Sequence, residues 1–256
     1  MASPSLPAPP YAPRPAASKI TVKTTSPIVP PNIDRVPIRT ERLLLRPFVA
    51  SDTEAVYEIR KQPEVMLWTL TGEIDKDIDQ SRVCVERFLP PKDLATYHFV
   101  VVYLGDTGKS EDTNGVVIGI GGCHKIPGDF GWPELGYMFR KEYWGKGFAT
   151  EFMRAFTKAW WALPRNEIQI EVDAVSVEKW CQGKGEKNDG DVIRVPEVIM
   201  AMIDAGNGGS RKVLEKAGFR VFDKWTEADS RTGFKGSTVK LDVFLLEEPA
   251  AKDGNS

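Results

Sequence analysis

The sequence predicts an α/β fold, on three observations. Short strand-like runs, such as Tyr97–Leu104 and Val239–Leu246, alternate with segments whose apolar residues recur at helical spacing. One such run, Glu134-Leu-Gly-Tyr-Met-Phe139, leads through Tyr143-Trp144-Gly145-Lys146-Gly147 into a helix pattern. There Phe148, Phe152, Ala155, Phe156, Ala159 and Leu163 share a face, and Pro164 stops it. The composition, 41% hydrophobic and 27% charged over 256 residues, supplies a substantial core for one domain plus extensions.

Taken in order, residues 1–37 hold ten of the nineteen prolines. Such a stretch buries too little apolar surface to offset its ordering entropy, so residues 1–34 are expected as a disordered, dispensable Pro-rich tail. The domain then spans 35–248. A first strand, Arg39–Arg46, ends at Pro47; Ser51 caps the next helix, with Glu54 closing a capping box, and the helix runs toward Pro63. A second helix covers Asp77–Phe88. Strands follow at Tyr97–Leu104 and Val116–Gly121, separated by a polar turn. The cluster Gly119-Ile-Gly-Gly122 leads to no helix and reads as close backbone packing or a bulge.

Leu135–Phe139 is a fourth strand and Ile168–Val175 a fifth. After it comes a stretch of about thirty residues, 176–206, whose Gln182–Asp191 portion is polar and glycine-rich and whose Pro196–Ala205 portion reads as a short helix. Asn207–Ala217 is the last helix, ended by Gly218 in a left-handed cap. Phe219–Trp225 and Val239–Leu246 complete the strands, and residues 249–256 are a disordered polar tail.

Several classes are disfavoured. A net charge of −2 gives no global pull toward nucleic acid or anionic membrane. Apolar runs are far shorter than a membrane span. Three widely spaced cysteines make no disulfide framework, which favours a reducing, cytoplasmic setting. Two histidines and no Cys-x-x-Cys pair leave no basis for a metal site. The basic character of residues 1–37 does not make a presequence, because the prolines break any amphipathic helix.

The glycine turn carries the chemistry. Gly145 and Gly147 sit where a strand feeds a helix N-terminus, so free N–H groups and the positive helix end converge on one spot suited to a pyrophosphate. A plain chain-reversing turn is the bland alternative. The P-loop string is absent, and the dinucleotide fingerprint would need Gly or Ala where Thr150 stands.

Glu134-Leu-Gly-Tyr-Met-Phe followed by Tyr143-Trp-Gly-Lys-Gly-Phe-Ala-Thr-Glu resembles the acetyl-CoA-binding motif of the GNAT acyltransferases, and more narrowly the branch that includes ribosomal-protein N-terminal acetyltransferases. Arg39-Thr-Glu-Arg-Leu-Leu-Leu-Arg-Pro47 resembles that branch's opening strand. Asn207-Gly-Gly-Ser210-Arg-Lys-Val-Leu-Glu-Lys-Ala-Gly-Phe219 resembles its closing helix and strand. The motifs bracket residues from about 38 to 246. Trp144 stands where the superfamily usually has Gln or Arg. The resemblance implies a single domain with a mixed, mostly antiparallel central sheet flanked by helices. It also implies transfer of the acetyl group of acetyl-CoA, with no metal, to an amine on a protein N-terminus or a small molecule. The protein would be a monomer or homodimer.

The resemblance assigns cofactor contacts by position. Trp144, Gly145, Lys146, Gly147, Phe148, Ala149 and Thr150 would take the pyrophosphate. The backbone of Tyr137, Met138 and Phe139 would take the pantetheine arm, with an N–H near Met138 facing the thioester oxygen. Asn207 and Ser210 would lie beside the cofactor, Ser210 assisting the leaving thiolate; both residue types also suit a helix cap. Glu134 is the expected base, against the bland reading of a solvated strand-edge glutamate, and His124 is the second choice. Tyr137 is expected to point into packing. A non-catalytic acyl-CoA-binding module is the rival reading, and a Pro-rich-tailed interaction protein a third. The 176–206 stretch is either surface decoration or a wall of the acceptor site.

Overall fold

Backbone pairing sorts the strands into two sheets. The computed structural model describes residues 11–14, 16–105, 115–180, 186–187 and 192–248. The elements run β1 (Ala12–Pro13), β2 (Lys19–Pro27), β3 (Ile38–Arg39), β4 (Leu43–Arg46), α1 (Thr53–Arg60), α2 (Pro63–Met66), α3 (Ile78–Glu86), β5 (Tyr97–Tyr103), β6 (Val116–Lys125) and β7 (Glu134–Phe139). There follow α4 (Phe148–Trp161), β8 (Arg165–Asp173), α5 (Ala174–Trp180), β9 (Glu186–Lys187), β10 (Ile193–Arg194), β11 (Val198–Asp204), α6 (Gly208–Lys216), β12 (Arg220–Ala228) and β13 (Thr238–Glu247). The central sheet has the order β1-β12-β13-β11-β7-β6-β5-β4-β3, and β8-β2-β10-β9 form an accessory sheet. Within the central sheet only β1/β12 and β11/β7 pair in parallel. The fold is mixed α/β and mostly antiparallel, as expected.

Helix α4 lies across one face of this sheet. Phe148, Phe152, Met153, Phe156 and Trp160 are buried against Leu135, Phe139 and Ile199, together with Leu214 of α6. A Cβ at Gly121 would stand 2.4 Å from the Phe152 ring, so the glycine lets the helix close on the strand. On the opposite face α1 and α3 bury Val56, Ile59, Val85 and Phe88 against Val100, Val102 and Ile120, with Met138 packed beside them.

Three expectations are corrected. The first is the tail. Residues 1–10 and 249–256 lie outside the described residues, but Lys19–Pro27 is an ordered strand, paired along its whole length with β8 and burying Val22 and Thr24. Between Pro15 and Pro27 no proline occurs, and Ile20, Val22 and Thr24 alternate with polar residues. That period of two was hidden in the composition of the longer stretch.

The second correction concerns Pro196–Ala205, which forms strand β11 and not a helix. Its run Val198-Ile-Met-Ala-Met-Ile203 is covered on both faces. Ile199 and Ala201 pack with α4 and α6, while Val198 and Met200 pack toward the accessory sheet. A strand buried on both sides carries no alternation to read. Ile168–Val175 is therefore not the strand beside β7: Arg165–Asp173 belongs to the accessory sheet, and the inserted segment lies before β11, not after it. Most of Gln182–Asp191 falls outside the described residues.

The third correction is local. Ser51 does not cap α1. A turn of 3-10 helix, Ala50–Asp52, comes first, and Asp52 accepts the Val49 N–H at 2.8 Å. At the other end of the domain, Asn207 does cap α6, accepting the Ser210 N–H at 2.9 Å, and Gly218 follows with φ 91°.

The accessory sheet grips the β6–β7 hairpin. Phe130 and Trp132 from that hairpin are buried with Val22, Val172, Val177 and Val195. The Asp173 N–H donates to Phe130 O at 2.9 Å, and the Trp132 indole donates to Ser176 Oγ at 2.9 Å. The two ends of this hairpin carry His124 and Glu134.

Candidate active site

The site forms where β7 and β11 part. Their ladder has one register pair, Met200 opposite Glu134, and Met200 N–H donates to Pro133 O at 2.9 Å. No residue from Leu135 to Phe139 pairs with β11 in that ladder, so a gap opens on the C-terminal side of Glu134. On its other edge β7 pairs with β6, Met138 opposite Ile120, and the Arg140 N–H donates to Ile118 O at 2.8 Å. Antiparallel alternation carries that bonding pattern back to Met138 and turns its N–H toward β6. The amides that face the gap are those of Tyr137 and Phe139. The expected donor near Met138 is thus displaced by one residue.

At the C-terminal end of β7 the glycine turn takes the conformation its residues require. Gly145 and Gly147 have φ of 74° and 85°, which only glycine adopts cheaply. A Cβ at Gly145 would meet nothing within 4 Å, and no side chain caps the N-terminus of α4. Trp144 braces the turn, its indole donating to Phe139 O at 2.8 Å. The uncapped helix start and the bare glycine backbone fit a pyrophosphate, and the unpaired edge of β7 fits an amide-rich arm.

A clamp that sequence reasoning missed holds this turn. Thr40 Oγ1 and the Arg42 N–H both donate to Glu151 Oε1, at 2.6 and 2.9 Å, while the Arg42 guanidinium bonds Glu151 Oε2 and Lys146 O. Burial raises the Glu151 carboxyl, but these bonds outweigh it and hold the group below its ordinary value. The signal lay in Thr40-Glu41-Arg42, which interrupts what reads as one continuous strand.

Alternation along β7 divides the expected chemistry between the sheet's faces. Glu134 and Met138 share the face of α1 and α3, while Tyr137 faces α4 and α6. Glu134 is buried, 7% exposed, and its carboxyl is raised by burial and by the nearby Asp129 carboxylate. His124 Nε2 lies 3.8 Å from Glu134 Oε1. Burial, with Arg87 and Lys125, lowers the imidazole to about 4, so at neutral pH this contact joins a neutral ring to a carboxyl and is not an ion pair. His124 lies over Gly136, where a Cβ would stand 2.9 Å from Nδ1. His98, buried behind it, stacks on Phe88 at 4.3 Å and is held well below its ordinary value, first by burial and then by His124.

On the other face the Tyr137 and Ser210 hydroxyls are 2.7 Å apart. Burial pushes Tyr137 up to about 12. The structure therefore brings Glu134 together with His124, and Tyr137 together with Ser210 and Asn207. The expectation that Tyr137 points only into packing is incomplete: the ring packs near Phe139 and Phe152, but its hydroxyl reaches α6.

Segment 62–76 ties the ends of both parted strands. Gln62 Oε1 accepts the Lys141 N–H at 2.8 Å beyond β7, and Arg231 bonds both Leu67 O at 3.0 Å and Asp204 at 3.1 Å at the end of β11. Beside this span is an open groove of about 710 Å³ lined by Pro63, Glu64, Leu67, Glu73 and Ile74.

Residues 42–220 match the family described as acetyltransferase (GNAT) domain. The chain belongs to that family and is an acetyl-CoA-dependent acyltransferase. Among solved structures, a GNAT-family acetyltransferase from Bacillus anthracis aligns at 21% identity with TM-score 0.53, covering 83% of this chain and 98% of its own. The microcin C7 self-immunity acetyltransferase MccE, solved with acetyl-CoA and AMP, aligns at 10% identity and TM-score 0.53, over 82% and 94%. A spermidine N-acetyltransferase from Vibrio cholerae, solved with CoA and spermine, aligns at 15% identity and TM-score 0.52, over 81% and 96%. At these identities the likeness shows the fold. No curated protein sequence matches. Among the described residues no helix is long and apolar enough to cross a membrane, and no cluster of His, Cys, Asp and Glu is placed to hold a metal ion.

Proposed function

We propose that this protein transfers an acetyl group to a primary amine of a protein N-terminus or a small molecule, with Glu134 as the general base. The observation that carries this reading is the placement of a buried, raised carboxyl at the point where β7 and β11 part. An alkyl amine, with pKa near ~10 as for Lys, is mostly protonated at neutral pH and must lose a proton to attack. A carboxyl raised by burial is a better acceptor for that proton than a solvated one. His124, neutral at this pH, adds no positive charge that would lower the basicity of the carboxylate.

Acetyl-CoA supplies the acetyl group as an activated thioester. The Gly145–Thr150 backbone holds the pyrophosphate and Arg42 keeps that turn in place. The amides of Tyr137 and Phe139 pair with the pantetheine arm and offer a donor to the developing oxyanion. Asn207 caps the helix that presents Ser210, whose hydroxyl stabilises the departing thiolate. Structural neighbours act on or bind small amines, spermidine in one case and the aminoglycoside ribostamycin in another, which supports a small polyamine among the acceptors to be tried.

The test is release of free CoA thiol from acetyl-CoA across a panel of N-terminal peptides, polyamines and aminoglycosides, with mass-spectrometric detection of the acetylated product. Turnover with an amine supports the reading. Tight acetyl-CoA binding with no acceptor anywhere in the panel would favour a non-catalytic binding module.

A further inference from the structure

We propose that Tyr137 is a positioning residue whose phenol fixes the hydroxyl proton of Ser210 toward the sulfur of the acyl donor. The inference rests on the acyltransfer reading above and adds to it a hydrogen-bond chain from β7 to α6. The Tyr137 and Ser210 hydroxyls are 2.7 Å apart, and geometry alone allows either to donate. Chemistry decides between them. A phenol is far more acidic than an alkyl alcohol and its oxygen is the poorer acceptor, so the Tyr137 proton lies between the two oxygens and Ser210 accepts.

That direction has a consequence for Ser210. Its N–H is already bonded to Asn207 Oδ1 at 2.9 Å, and its Oγ has no second partner among the described residues. A serine on a helix often turns its proton back to a carbonyl one turn earlier. With Tyr137 donating to its oxygen, the Ser210 proton has no partner among the described residues. It is left for an acceptor arriving in the gap.

The surroundings fit an acceptor there. The start of α6 is open at Gly208, where a Cβ would meet nothing within 4 Å, and Ser210 is itself only partly buried. The Tyr137 N–H that faces the gap and the hydroxyl of the same residue are carried by one strand position. The Tyr137 ring packs beside those of Phe139 and Phe152, its centroid 6.2 Å from each. With its phenol pushed up to about 12, it stays a donor at every working pH. Donation from Tyr137 into Ser210 polarises the second hydroxyl and strengthens the bond it makes in turn. No proton leaves Tyr137 in this scheme: Ser210 donates a hydrogen bond to the departing thiolate, which takes its proton from water after release.

The test compares binding of CoA with binding of desulfo-CoA, which lacks the thiol, by calorimetry as pH is raised through the thiol pKa of ~8.5. The wild-type protein should prefer CoA increasingly as the thiolate forms, with the bound thiol titrating about one unit below the free one, a tenfold gain in relative affinity. Tyr137→Phe and Ser210→Ala should each abolish that gain and leave desulfo-CoA affinity unchanged. Turnover should fall about tenfold or more in each. The double variant should be no worse than the poorer single one, since the two hydroxyls act as one chain. Replacing Tyr137 by 3-fluorotyrosine, a stronger donor of nearly the same shape, should lower the bound thiol's pKa further, and it keeps the test valid if the Phe variant folds poorly.

A bound thiol that titrates alike in wild type and both variants overturns the proposal, even if the wild type turns over amines. Equal loss of CoA and desulfo-CoA binding in Tyr137→Phe also overturns it, because that is the signature of a packing role. A wild type that shows the thiol effect but acetylates no amine would overturn the acyltransfer reading and leave the hydrogen-bond chain standing. Failure to bind CoA at all would overturn both.

Discussion

The indole of Trp132 donates to Ser176 Oγ at 2.9 Å, joining the hairpin that ends in Glu134 to the helix that follows β8. Through this bond and the buried contacts around Phe130 and Trp132, the accessory sheet supports the wall on which the candidate base stands. That sheet is built from two distant stretches, β2 near the N-terminus and residues 165–194. Neither can bury its apolar face without the other.

Removal of residues 1–27 should therefore destabilise the domain, contrary to the dispensable tail that composition suggests. Full burial of Val22 alone is worth about 1.5–3 kcal/mol, and loss of about 1 kcal/mol lowers Tm by roughly 2–4 °C in a domain of this size. The Thr25 bond to Glu197, at 3.0 Å, is lost as well. A drop of several degrees in a thermal scan is expected; an unchanged Tm would show that β2 contributes nothing to the folded state.

The phosphate turn gives a second expectation. Gly147→Asp should abolish acetyl-CoA binding, because a carboxylate would meet the pyrophosphate at the positive end of α4. Gly147 also has φ of 85°, so any side chain there is strained, and Gly147→Ala isolates that part. The alanine variant should bind more weakly than wild type and clearly better than the aspartate variant. Equal acetyl-CoA affinity in wild type and Gly147→Asp would remove the turn from the cofactor site.

Arg42→Ala should weaken acetyl-CoA binding without touching the chemistry. The guanidinium holds Glu151 and Lys146 O, and through them the turn between β7 and α4. The expected result is a rise of about tenfold in KM for acetyl-CoA, equivalent to ~1.4 kcal/mol, with kcat within a few-fold of wild type. A large fall in kcat with KM unchanged would place Arg42 in the reaction instead.

Much of this architecture was legible in the residues themselves. The turn at Gly145 and Gly147, the single apolar face of α4 and the cap at Asn207 all rest on local chemistry, and each is where the sequence puts it. What stayed hidden depends on long-range pairing. The strand β11 is apolar on both faces and looked helical next to Pro196. The strand β2 lay inside a proline-rich average. The contact between Glu134 and His124 required a bulge in β6 near Cys123 that no local pattern announces. His98 gave no signal at all, since a histidine in a strand reads as any polar residue until burial is known.

Those two histidines shape the acid stability. His124, lowered to about 4 from 6.5, stays neutral in the folded state over a range where the unfolded chain binds a proton. The unfolded state then holds more protons, so stability rises with pH across that window and falls as pH drops from about 6.5 toward 4. His98 acts in the same direction. His124→Gln should flatten this part of the Tm-against-pH curve, and a curve of unchanged slope would show that His124 charges as readily folded as unfolded.

The assignment of Glu134 as general base is tested most directly by Glu134→Gln, followed through the pH dependence of kcat. General base catalysis contributes about 10²–10⁴-fold, so kcat should fall by that order while acetyl-CoA affinity stays as in wild type. Because burial raises the Glu134 carboxyl, the wild-type rate should decline on the acid side at a pH above the ordinary carboxylate value of 4.5, and the variant should lose that limb. A Glu134→Gln enzyme with kcat within a few-fold of wild type and the same acid limb would contradict the account.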